Sequence, residues 1–152
     1  RRQHKVLFIS KRAEANFDWK ALQANTARDE KKGQYALRAG AVDPLTLEVQ
    51  MRRDIADLGK LPKSYFLADA KRMREQKFVV DGNETIETPF GKVNTVRVKR
   101  LHEDPALQTT FWLAKDRNYI PAKVVQDDDG ATFILELSAF NGAMARAATP
   151  AQ

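Results

Sequence analysis

The sequence predicts a mainly β, α+β domain in which an antiparallel sheet packs with a single amphipathic helix. Three observations predict it. Residues 12–20 and 93–101 alternate apolar and polar side chains, the period of a half-buried strand. Short β-branched runs are divided by turn signals at Asp81-Gly82, Thr88-Pro89-Phe90-Gly91 and Asp127-Asp128-Asp129-Gly130, as in consecutive antiparallel strands. Only residues 43–58 carry a convincing helical period.

Taken in order, Val6-Leu7-Phe8-Ile9 reads as strand from close to the first residue, and residues 1–9 are expected to pair with the next strand. In that strand Ala13, Ala15, Phe17 and Trp19 share one face, while Arg12, Glu14, Asn16, Asp18 and Lys20 share the other. The run from Arg28 to Gly33 is expected to be a charged turn, with a short strand around Tyr35 and Leu37. Asp43 then caps a helix whose first position is Pro44, where no N–H is needed. Leu47, Met51, Ile55 and Leu58 form its stripe, widened by Leu45 and Val49, and Gly59 and Pro62 end it.

From Ser64 the pattern is a meander: Tyr65–Leu67, Met73–Val80, Glu84–Thr88, Val93–Leu101, Thr109–Ala114, Tyr119–Gln126 and Ala131–Phe140. Pro121 sits near the start of its strand, a tolerated place. The expectation is one domain over residues 1–140 and a flexible tail over 141–152, which is Ala-rich and lacks aromatics. The chain begins without an initiator Met or a signal peptide, and a truncation that leaves out earlier strands is the preferred reading.

The totals narrow the function classes. No apolar run approaches the ~18 residues of a membrane-spanning helix. Cysteine is absent, which removes a disulfide framework, thiolate metal sites and a cysteine nucleophile. The net charge of +6 is concentrated in residues 1–40, with 10 Lys/Arg against 4 Asp/Glu, while residues 41–152 balance at 16 and 16. A basic third invites a nucleic-acid reading, but no nucleic-acid motif accompanies it, and strands faced with Lys and Arg also resist edge pairing. No nucleic-acid partner is expected.

Chemistry-bearing constellations are missing. His4 and His102 stand alone among charged neighbours, and His102-Glu103 lacks the one-turn spacing of metal ligands. No serine lies in a Gly-x-Ser-x-Gly turn, and the glycines form no phosphate loop. Asp127, Asp129, Gly130 and Glu136 match part of a calcium loop, but Val125 occupies the first ligand position and the flanks are strands. Glu84 and Glu87 point to opposite faces of a strand, so they cannot flank one bond. Arg97, Lys99, Glu84 and Glu136 are instead candidates for cross-strand ion pairs. The expectation is no enzyme, no cofactor and no metal.

The most suggestive set is aromatic: Phe17, Trp19, Phe111, Trp112, Tyr119 and Phe133. On a curved sheet covered by a helix such side chains enclose a cavity for a lipid-like ligand. The competing reading is a filled core, which needs aromatics at the same alternating positions.

The run Asp81–Val98, followed by Thr110-Phe111-Trp112-Leu113-Ala114 and Tyr119-Ile120-Pro121-Ala122-Lys123, resembles the exported Gram-negative proteins grouped as domain of unknown function 3108. The resemblance lies on Glu84 or Glu87, Thr88, Pro89, Gly91, Thr95, Val98, Trp112, Ala114, Tyr119 and Pro121, and the Asp43-Pro44-Leu45-Thr46 helix start also suits it. It spans roughly residues 12–140. It implies a periplasmic protein with a highly curved antiparallel sheet or incomplete barrel, similar to lipoprotein-carrier folds, and further N-terminal strands. It implies no catalytic residues. Glu84, Thr88, Pro89, Gly91, Thr95 and Pro121 take structural roles in this reading, and Trp112 fills the core. The function expected is a non-enzymatic domain that binds an apolar cell-envelope component or an envelope protein. The alternative is an assembly module that pairs through exposed strand edges.

Overall fold

The structure, a computed structural model, describes residues 13–28 and 30–138. Residues 1–9, Phe140 and the 141–152 segment, for which strands and a tail are expected, lie outside the described residues. The elements are β1 (Ala13–Asp18), β2 (Gln23–Arg28), β3 (Lys31–Ala36), α1 (Pro44–Leu58), β4 (Tyr65–Ala68), β5 (Met73–Thr88), β6 (Gly91–Leu101), β7 (Leu107–Ala114), β8 (Ile120–Asp128) and β9 (Ala131–Glu136). Two antiparallel sheets result, one in the order β1-β2-β3 and one in the order β4-β5-β6-β7-β8-β9. Neither closes into a barrel among the described residues. A mainly β fold with one helix is therefore what the chain adopts.

The described chain divides into two compact units, the first formed by residues up to Pro44 with Phe66–Arg74, the second by Leu45–Tyr65 and the residues from Glu75.

In the first unit, β1 and β2 pair from Ala13↔Arg28 to Asp18↔Gln23, and β2 and β3 from Gln23↔Ala36 to Arg28↔Lys31. Strand β2 departs from expectation: Gln-Ala-Asn-Thr-Ala-Arg carries no large apolar side chain, so nothing in its pattern announces a strand. Its neighbours recruit it. Ala24 is buried with Leu37 and Ala68, and Phe17 and Tyr35 pack against them. The charged turn is correspondingly shorter, since β3 already starts at Lys31.

In the second unit the core lies between α1 and one face of the sheet. Met51 and Ile55 pack with Tyr65, Phe78, Val96, Val98 and Leu113, and Leu47 flanks them. Each fully buried Leu or Val there contributes about 1.5–3 kcal/mol. The expected stripe is narrower than its sequence suggests, because Leu45, Val49 and Leu58 are all exposed. The Tyr65 hydroxyl donates to Asp54 Oδ2 at 2.6 Å and ties the helix to the sheet. A smaller cluster of Val93, Ala114 and Ala122 forms with Ile86, Phe90 and Ile120.

Contrary to expectation, Asp81-Gly82 does not divide two strands; β5 runs through it for 16 residues. The pairing shifts register there, between Val80↔Val98 and Asn83↔Val96, so the dipeptide is a bulge. A bulge bends its strand and increases local twist, and a second one lies between Trp112 and Leu113 opposite β8. The Thr88–Gly91 turn is as expected: Gly91 has φ 111°, and Thr88 Oγ1 donates to its carbonyl at 2.7 Å.

Candidate functional site

The six aromatic candidates are divided between the two units, Phe17 and Trp19 in the first and Phe111, Trp112, Tyr119 and Phe133 in the second. Phe111 and Tyr119 pack against the helix-side core of the second unit. Phe133, on β9, is exposed. Trp112 lies elsewhere again. Its register partners are Arg97 on β6 and Lys123 on β8, and Lys123 in turn faces Glu136 on β9. Side chains opposite one another in successive strands share a face, so Arg97, Trp112, Lys123 and Glu136 form one transverse row.

The row is closely bonded. Trp112 Nε1 donates to Glu84 Oε2 at 2.8 Å, and Arg97 Nη1 donates to the same oxygen at 3.0 Å. Arg97 Nε donates to Asp81 Oδ2 at 3.0 Å, and Lys99 Nζ lies 2.8 Å from that atom. The hydrogen bond from Lys99, with the charges of Lys99 and Arg97, holds the Asp81 carboxyl below the usual carboxylate range. Lys123 Nζ stands 5.6 Å from the Trp112 ring centre and 3.4 Å from Glu136 Oε1. All four residues expected in cross-strand ion pairs form them: Glu84 meets Arg97, Lys99 takes Asp81, and Glu136 takes Lys123, its direct cross-strand neighbour. Each cation in the row has an anion within the sheet, which makes the row a surface brace.

Other residues that carry the family resemblance lie on the same sheet and its turns. Thr95, buried, donates from Oγ1 to the Glu84 carbonyl at 2.6 Å. Pro89 stands at the tip of the β5–β6 turn, and Pro121 is the second residue of β8, paired with Leu113.

Phe17 and Trp19 are the pair that reaches an opening. Their ring centres are 5.4 Å apart with planes tilted by 35°, and Trp19 is 43% exposed. They line an open groove of about 940 Å³ on the three-stranded sheet. Trp19 follows β1 in a turn fastened by Asp18, whose Oδ1 accepts from the Lys20 and Ala21 amides at 3.0 and 2.9 Å. Asn16, Asn25 and Gln34, aligned in register across β1, β2 and β3, border the groove through their strands, but they alternate with Phe17 and turn their side chains to the other face of the sheet. Gln34 Nε2 donates to Asn25 Oδ1 at 2.7 Å. Gly33 keeps the floor low, since a Cβ there would stand 3.0 Å from Thr26 Oγ1. The groove therefore offers an aromatic wall beside the row of Ala15, Thr26 and Gly33, which shares its face. Sequence reasoning found the aromatics but missed the strand floor beside them, because β2 was not legible as a strand.

The family model described as protein of unknown function (DUF3108) matches residues 2–138. The chain belongs to that family. No curated protein and no solved structure matches it. Among the described residues of this DUF3108 member, no three His, Cys, Asp or Glu side chains are grouped to hold a metal ion, and no helix is long and apolar enough to cross a membrane.

Proposed function

We propose that this DUF3108 protein is a non-enzymatic, exported binding domain that holds an amphiphilic component of the cell envelope in the open groove of its three-stranded sheet. The observation that carries the reading is the Phe17–Trp19 pair, a large apolar surface left open to solvent at the groove wall. Exposed aromatic surface on the same face as the Thr26 hydroxyl suits a ligand with an apolar chain and a neutral polar portion. The non-enzymatic part rests on the sequence, which gathers no nucleophile with a base. Export rests on the resemblance stated above, and a cysteine-free chain tolerates an oxidising compartment.

The test is a fluorescence titration of the Trp112→Phe variant, in which Trp19 is the remaining tryptophan, with dodecyl maltoside below its micellar concentration. A saturable blue shift, lost when Phe17 is changed to Ser, is expected. No saturable change would overturn the reading.

A second reading, assembly through a strand edge, is favoured by β9. It ends the described sheet, and Phe133, Ile134 and Leu135 are all exposed on it. An apolar, unpaired edge is a template for strand addition.

A further inference from the structure

A second groove in the first unit, of about 720 Å³, is lined by Arg28, Lys71, Arg72 and Arg74 around a single carboxylate, Asp69. That carboxylate is already committed. Its Oδ1 accepts from the Lys71 and Arg72 amides at 2.7 and 3.0 Å, and its Oδ2 accepts from Arg74 Nη2. Burial would raise the Asp69 pKa, but the Arg72 and Lys71 amides and then Arg74 outweigh it and hold the carboxyl below its ordinary range. The Tyr35 hydroxyl adds a hydrogen bond to the Asp69 carbonyl, fixing the turn to β3.

Clamping the turn in this way fixes where Lys71 and Arg72 stand. Both are exposed, as is Arg28 at the end of β2, and none of the three has an acidic partner among the described residues. Arg74 Nε is buried and bonded to nothing among them. Four cations thus surround one groove, their single counter-charge is spent on the turn, and one guanidinium donor has no acceptor. Like charges held at such a site repel, and a compact, multiply charged anion relieves that repulsion. Guanidinium forks match phosphate geometry in particular.

We infer that this groove binds a phosphate group, free or carried on the head of an amphiphile. The placement is suggestive for the second source. Ala13 and Arg28, which border the cationic groove, are paired across β1 and β2, and the following rung on the same face, Ala15 and Thr26, borders the aromatic groove. One ligand with an apolar chain and a phosphate head would reach both. As a headgroup site the inference rests on the amphiphile reading; as a phosphate site it stands alone.

Calorimetric titration with inorganic phosphate, and sedimentation with phosphatidylcholine vesicles with and without phosphatidic acid, tests it on the full chain. Binding of either phosphate source is expected, weakened at least about tenfold when Arg28 and Arg72 are both changed to Ser, since a charge-assisted bond is lost at each. Asp69 is untouched in that variant, so an unchanged Tm checks that the turn survives. Binding of phosphate alone assigns the site to a free anion, and binding of phosphatidic acid vesicles assigns it to a headgroup. A Trp19→Ala variant that keeps phosphate affinity but loses dodecyl maltoside separates the two grooves. Wild-type affinity in the double Ser variant, binding to neither source, or equal competition by chloride at matched ionic strength would overturn the inference.

Discussion

Trp112 on β7 and Glu84 on β5 are joined by a 2.8 Å hydrogen bond that passes over the intervening strand β6. The bond puts Trp112 in a polar row and not in the core that its sequence suggests. Arg97, on β6 beneath the bond, donates to the same carboxylate, so three consecutive strands are tied at one height. Glu84 and Arg97 are each more than a third exposed, and water screens much of their attraction. Changing Trp112 to Phe should therefore lower stability by only about 1 kcal/mol. A double-mutant cycle with Glu84→Gln, read by urea unfolding, should show a coupling energy of about 0.5–1 kcal/mol.

The helix-side core carries far more. Leu113 is fully buried between strands and helix, so Leu113→Ala should cost about 2–5 kcal/mol, depending on how far the site collapses. Leu45, 85% exposed on α1, is the contrasting case: Leu45→Ser should stay within about 0.5 kcal/mol. Thermal melts of the two variants check both values.

This contrast marks where the sequence was legible. Helix bounds, the Thr88–Gly91 and Asp129-Gly130 turns and the alternation that places Val96 and Val98 on the core face all follow from local chemistry. What failed depended on partners. Leu45 and Val49 have the right period but no sheet to meet, and β2 has a sheet to join but no period to reveal it. Asp81-Gly82 is a turn signal wherever the chain is free to reverse. Here β6 continues to pair on both sides, and the signal becomes a bulge. The aromatic set was only partly legible: Phe111 and Trp112, consecutive on β7, must face opposite sides, but nothing local says which side is the core or that Phe133 stands exposed on β9.

Acid sensitivity should have a histidine component. Burial, then the neighbouring charge of Arg100, lowers the pKa of His102, against an opposing effect of Asp104. Its ring Nε2 lies 2.9 Å from Thr109 Oγ1. The folded state then disfavours the protonated ring, so the unfolded chain takes up the proton first. Stability from this site is complete above the unfolded pKa of about 6.5 and is lost as pH falls through the lower folded value. Urea midpoints measured from neutral pH downward should fall, and His102→Asn should flatten that slope.

The strand edge makes a separate prediction. If β9 pairs with a second chain, Ile134→Lys should abolish association while leaving the monomer folded, because Ile134 is exposed. Multi-angle light scattering over a concentration series checks this. A wild-type chain that remains monomeric throughout removes self-assembly by that edge.

The amphiphile groove is tested most directly by native mass spectrometry of the full chain, purified without detergent. The account predicts a bound mass that dissociates on collisional activation, persists in Trp112→Phe and disappears in Trp19→Ala. Bare chain mass alone, or an adduct that Trp19→Ala retains in full, would contradict it.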